Sequence, residues 1–205
     1  MTDYHFYRPI DGHGLAHNPF NAIIAPRPIG WISTVDRDGV ANLAPYSFFN
    51  AFNYVPPIIG FASIGAKDSL RNAREMGEFV WNLASYDLRS PMNESAAPVD
   101  AEIDEFARAE LAKTASRCVT PPRVAASPVS FECKTSQIVQ LQNADGDEVD
   151  SWLVMGEVVG VHIDKAMLEN GVYQTARAKP IMRGGGPADY FVIEEASKFA
   201  MDRPE

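Results

Sequence analysis

Apolar and β-branched residues fall along this chain in short runs separated by turn chemistry, and few of the runs keep helical spacing. Residues 29–35, IGWISTV, have the length and composition of a strand and run into Asp36-Arg37-Asp38-Gly39, whose Asp-Gly pair favours positive φ. A second apolar run begins at Val40, which predicts a hairpin. Pro56-Pro57 punctuates the chain before residues 58–64, another run of strand length. The period then changes. Leu70, Ala73 and Arg74 fall at helical spacing within 67–76, Asp68 or Ser69 stands where a cap belongs, and Gly77 stands where a left-handed terminal residue belongs. Residues 78–83 read as a strand again. Residues 130–142 and 151–163 are β-rich and joined through Asp145-Gly146, which predicts a second hairpin.

Two stretches have a different texture. Residues 1–20, with Pro9, Gly12, Gly14 and Pro19, read as an irregular arm. Residues 87–128 are rich in Ala, Glu and Asp between Pro91, Pro98, Pro121, Pro122 and Pro128, which predicts short helices around 91–97 and 103–112 packed outside the sheet. Local hairpins with only short helices favour a mainly β, antiparallel barrel over a βαβ fold, and residues 1–205 read as one domain. No G-x-G-x-x-G follows a strand, which removes the Rossmann route to a dinucleotide.

Charge narrows the partners. With 18 basic and 27 acidic residues the formal net charge is −9, which argues against nucleic acid or an anionic membrane as the main partner. A small phosphorylated ligand stays compatible, because a few local groups suffice to hold it. No signal peptide is visible at the N-terminus and no apolar run approaches bilayer length, so a cytoplasmic protein is expected. The two cysteines, Cys118 and Cys133, have no metal-binding spacing and read as reduced thiols; no metal site is expected. Hydrolase elbows, zincin motifs and P-loops are missing from the sequence. Glu102, Asp104 and Glu105 read as a solvated helix face.

The segment 27–50, RPIGWISTVDRDGVANLAPYSFFN, resembles the flavin reductase-like, FMN-binding split-barrel family. The similarity continues through Pro56-Pro57, Lys67-Asp68-Ser69, 78–82, Ser127-Pro128, 156–162 and 180–190. The resemblance implies an antiparallel, Greek-key split barrel that binds FMN, with a homodimer completing the site. It puts the backbone of Ser47, Phe48 and Phe49 against the flavin ring and the C-terminal stretch near it.

Residue chemistry is compatible with that assignment. Ala44 to Asn50, including Tyr46, can shape a flat slot in which Ser47 and Asn50 hydrogen-bond, and Ala62 and Ser63 are further candidates for cofactor contact. Phe48, Phe49 and Phe52 equally admit a reading as core aromatics. At 63–69, a helix N-terminus, Lys67 and the Ser69 hydroxyl suit a phosphomonoester, while Asp68 is assigned to capping; an exposed lysine on an ordinary helix is the plainer alternative. Arg27 and Arg183 are candidates for phosphate or ring contacts or for surface salt bridges. His162 is a candidate for positioning a nicotinamide, or a structural strand histidine. The resemblance implies an NAD(P)H:flavin oxidoreductase with NADH or NADPH as co-substrate, passing electrons to a monooxygenase or redox protein partner or a small acceptor. A flavoredoxin-like electron carrier and a flavin-binding or storage protein are the alternatives.

Overall fold

Turn chemistry sets the strand boundaries. In the computed structural model, which describes residues 2–204, β1 (Arg27–Pro28) leads into β2 (Gly30–Val35) and β3 (Ala41–Tyr46). In the β2–β3 turn the Asp36 carboxylate accepts from the N–H of Asp38 at 2.9 Å and of Val40 at 2.8 Å, and Gly39 takes φ +84°. There follow β4 (Phe49–Asn53), β5 (Ile58–Ile64) and β6 (Glu78–Asn82), then the short pair β7 (Lys113–Thr114) and β8 (Arg123–Val124). The long hairpin β9 (Val129–Gln142) and β10 (Glu148–Ile163) comes next, then β11 (Leu168–Glu169), β12 (Val172–Tyr173), β13 (Ile181–Arg183) and β14 (Tyr190–Val192). The helices are α1 (Phe20–Ile23), α2 (Asp68–Met76), α3 (Arg89–Glu94) and α4 (Glu105–Arg108).

Seven strands form one antiparallel sheet in the order β3-β2-β6-β9-β10-β5-β4. Its two edge strands, β3 and β4, are neighbours in sequence, separated by Ser47 and Phe48 alone. Laid flat, six gaps of about 4.8 Å would hold the edges roughly 29 Å apart. The three Cα steps from Tyr46 to Phe49 reach at most about 11 Å. The sheet must therefore curl until its edges meet end to end, which makes a barrel split at Ser47-Phe48. A smaller sheet, β1-β13-β14, lies outside it.

Strand β2 is buried along its whole length because both of its faces are covered. Ile32 faces the barrel interior with Phe61, Phe79, Cys133 and Val154, and α2 plugs that interior with Leu70 and Ala73. Trp31, Val35 and Leu43 face outward into a second cluster completed by Met92, Phe106 and Val124. The 87–128 segment thus does lie outside the barrel, but as the lid of a second core. Its helices are shorter than the sequence suggests: α4 ends at Arg108, just before Glu110, which adopts φ +54°.

Two further expectations need correction. Glu105 is not on a solvated face; it is only 6% exposed, and its Oε2 accepts from the Leu43 N–H at 2.9 Å. Asp68 does not cap α2, because Lys67 occupies the N-cap position with extended backbone and Asp68 is the first helical residue, paired with Arg71 at 2.6 Å.

Glu132, on β9, is fully buried, and its carboxylate accepts from the N–H groups of Arg117 at 2.8 Å and Cys118 at 2.5 Å and meets His162 Nε2 at 2.5 Å. Burial alone would raise its pKa. The Arg117 N–H, His162 and the Cys118 N–H outweigh that and hold the carboxyl below its ordinary range. A depressed carboxyl stabilises the fold above the unfolded-state pKa, about 4.3, and loses that contribution as the pH falls through the lower folded value. Urea unfolding of Glu132→Gln should show a loss of about 1–3 kcal/mol at pH 7, narrowing relative to wild type in more acidic buffer. A gap that stays constant down to acid pH would contradict this account.

Candidate functional site

The split in the barrel opens into a cavity of about 600 Å³. Ala44, Pro45 and Tyr46 at the end of β3, the Ser47-Phe48 link, and Ala62 and Ile64 of β5 form one wall. The turn before α2 and the first helical residues, Lys67 to Ser69, form its end, and Ser95 to Val99 with Glu105 close the opposite side. A smaller cleft of about 350 Å³ shares Ser47, Phe48 and Ala62 with it and continues past Arg27, Phe49, Asn50 and Phe52. The two together make one slot along the seam.

At the α2 end, the correction to Asp68 has a chemical consequence. No side chain caps α2, so its first-turn N–H groups carry no side-chain partner and point towards the cavity end. Lys67 is exposed there and makes none of the ion pairs found among the described residues. The Ser69 oxygen accepts from Asn42 Nδ2 at 2.8 Å, which orients the hydroxyl. Two carboxylates also line the cavity. Asp68 is offset by Arg71. Glu105 is pushed up from its ordinary pKa, first by burial and then by the charges of Asp68 and Asp104, against the pull of the Leu43 N–H.

Along the wall, Tyr46 is 8% exposed and packs at 4.6 Å between centroids against Phe61. Burial raises the pKa of its hydroxyl, against the opposing pull of Ser69 and Ser63. Strand alternation turns Ala62 and Ile64 to the cavity and Ser63 away from it; Ser63 is fully buried, with its Oγ donating to the Gly65 carbonyl at 2.9 Å. The link is pinned by the Ala62 N–H donating to the Phe48 carbonyl at 2.8 Å.

The three phenylalanines have separate positions. Phe48 lines both cavities. Phe49 begins β4 and stacks on Trp81 at 5.5 Å and 11°, and it fits only because residue 30 is glycine, where a Cβ would lie 2.7 Å from its ring. Phe52 is half exposed at the smaller cleft. Asn50 is exposed, and its Oδ1 accepts from the Ala51 N–H at 2.9 Å. Ala44 to Asn50 is thus a strand end, a two-residue link and a strand start.

Arg27 is buried beside the smaller cleft, with its guanidinium 5.7 Å from the Phe48 ring centroid. Arg183, its cross-strand partner, lines neither cavity; it donates to the carbonyls of Asp189, Gly186 and Pro187 at 2.8, 3.1 and 3.0 Å. His162 lies apart from the seam, in a polar cleft of about 650 Å³ with Arg117, Cys118 and Arg123, where its contact with Glu132 accounts for it structurally. Sequence reading missed Asn42, Ser95 to Val99 and Glu105. Only Pro98 and the small-residue run before it hinted that 95–99 could come close to a ligand.

Comparison with known proteins agrees with this geometry. Residues 24–182 match the flavin reductase like domain. A protein of Aquifex aeolicus, itself uncharacterised, is 33% identical over 170 residues, covering 80% of this chain and 83% of the relative. An uncharacterised protein of Halalkalibacterium halodurans is 32% identical, covering 88% of this chain and 87% of the relative. Among solved structures, nitrilotriacetate monooxygenase component B from Bacillus cereus superposes with a TM-score of 0.81 at 29% identity over 91% of this chain and 98% of that one. The 2-nitrobenzoate 2-nitroreductase of Pseudomonas fluorescens gives 0.78 at 25% identity, over 90% and 88% of the two chains. Flavoredoxin of Desulfovibrio vulgaris shares the fold, with a TM-score of 0.74 at 20% identity over 86% of this chain and 90% of that one. A barrel split by a two-residue link, with an uncapped helix at one end of the split, is thus the form taken here by a chain that belongs to the flavin reductase like domain family.

Proposed function

We propose that the seam cavity binds FMN and that the protein is a flavin-dependent oxidoreductase, taking electrons from NADH or NADPH and passing them to an acceptor. The observation that carries this reading is the polarity of the slot. One end offers free N–H groups, Lys67 and Ser69, which suit a phosphate dianion, and the other offers a small-residue and aromatic wall, which suits a planar ring. A volume of about 600 Å³ falls within the usual range of cofactor sites.

When bound, FMN supplies the redox chemistry, with a ring that accepts hydride from the nicotinamide and later releases two electrons. The chain holds and orients. Lys67 and the first turn of α2 balance the phosphate charge, Ser69 donates its hydroxyl proton, and Asp68 is kept from opposing them by Arg71. Ala44, Ala62 and the Ser47-Phe48 backbone form the wall against which the ring lies, and the hydrogen bond from Ala62 to Phe48 holds that wall together. No acid or nucleophile is required of the protein.

The active form in this reading is a homodimer. An apolar cleft of about 820 Å³, bordered by Trp81, Phe131, Val161 and the 90% exposed Tyr54, adjoins the smaller seam cleft at Pro28 and is suited to burial against a second copy. Component B of a monooxygenase among the similar structures supports a protein partner as electron acceptor. No described helix is long and apolar enough to cross a membrane.

Loaded with FMN, the protein should sediment at twice the chain mass, and its flavin absorbance near roughly 450 nm should bleach on anaerobic mixing with NADH or NADPH. Failure of both donors to bleach it would defeat the reductase assignment and favour a carrier or storage role; a monomer would remove the dimer. Replacing Lys67 by Ala should weaken FMN binding by roughly tenfold and leave riboflavin nearly unaffected, in line with one charge-assisted contact. Equal loss for both flavins in a fluorescence titration would take Lys67 out of phosphate binding.

A further inference from the structure

Arg27 and Arg183 stand directly opposite each other in the β1–β13 register. Like charges in that position repel. Neither is paired with a carboxylate among the described residues. Arg27 donates to the carbonyls of Asn21, of Ile24 at 2.6 Å and of Gly184 at 3.4 Å. Arg183 is likewise held by three carbonyls. Carbonyl dipoles orient a guanidinium without cancelling its charge. In addition, Arg27 is 8% exposed and its Nε is buried with no partner. Burial, and then the charge of Arg183, push the Arg27 pKa below its ordinary value, as expected of an uncompensated pair. The nearby acid is Asp189, whose backbone carbonyl accepts from Arg183, but its carboxylate forms no ion pair with either arginine, although a counter-ion would lower the cost of burying the charge.

The pair also sits where an added negative charge would be felt. Arg27 lines the smaller cleft together with Ser47, Phe48 and Ala62, the three residues that this cleft shares with the main cavity. With the phosphate at the α2 end, this is the end of the slot left to the ring. Hydride delivery brings two electrons and one proton into the ring system, which leaves one net negative charge there, balanced by the oxidised nicotinamide that departs. A low-dielectric wall with the Arg27 charge at the cleft and the Arg183 charge on the adjoining strand favours that state.

On this basis we infer that Arg27 and Arg183 form an electrostatic pair that stabilises the reduced, more negative state of the flavin and so raises its reduction potential. The inference rests on the FMN reading above and assigns Arg27 a positioning and field role rather than a chemical step.

The test is the midpoint potential of bound FMN, measured by dye equilibration, after FMN affinity has been measured for each variant. At the effective dielectric of a protein, one charge about 10 Å away changes such an equilibrium on the order of tenfold. Arg27→Gln should therefore lower the preference for reduced FMN about tenfold, a shift of about 30 mV to more negative potential, while Arg27→Lys stays near wild type. The partly exposed Arg183, in Arg183→Gln, should give a shift of the same sign of about threefold, or about 14 mV. If Arg27→Gln does not fold, as judged by circular dichroism, Arg183→Gln decides alone. Unchanged potentials in folded, FMN-loaded variants would overturn the inference, as would a loss confined to the affinity for an anionic acceptor. Failure of the wild-type protein to bind FMN would instead overturn the reading on which it rests.

Discussion

Everything distinctive in this molecule follows from the connection of two residues between the first and last strands of its main sheet. Ser47 and Phe48 cannot span the width of a flat seven-stranded sheet, so the sheet curls and its edges meet. Edge strands normally expose unpaired backbone groups. Here the two edges terminate at a common seam, and the exposed backbone of the link becomes the wall of a slot.

Packing then decides what the seam can hold. Helix α2 fills one end of the barrel with Leu70 and Ala73, and that placement aims its uncapped N-terminus into the slot. Asn42, which also bonds Thr34, ties Ser69 to the inner face of the β2–β3 hairpin. The outer core, built with Met92 and Phe106 from the 87–128 segment, carries Ser95 to Val99 across as the opposing wall. Stability and binding are therefore coupled: loosening the lid would widen the cavity.

Much of this was legible in the sequence wherever local chemistry decides structure. The Asp-Gly turns, the helix ending at Gly77 and the long β9–β10 hairpin were all readable, because each is specified by residues close together in the chain. The resemblance of residues 27–50 pointed to the seam. What escaped was long-range. Glu105 looks like one of three solvated acids until Leu43 arrives from a distant strand to donate to it. Phe49 belongs as well to the slot as to the core until Trp81 stacks on it across the space left by Gly30. His162 reads as a candidate for the flavin site because nothing near it in sequence reveals Glu132, thirty residues away, to which it is bound.

The central claim is that the seam, and not one of the other clefts, is the flavin site. A crystal structure of the protein grown with FMN tests it most directly. The account predicts the phosphate at the first turn of α2 within hydrogen-bonding distance of Lys67 or Ser69, with the ring lying along the wall made by Ala62 and the Ser47-Phe48 link. Flavin density in the apolar cleft at Trp81 and Phe131, or beside His162, with the seam left free, would contradict it.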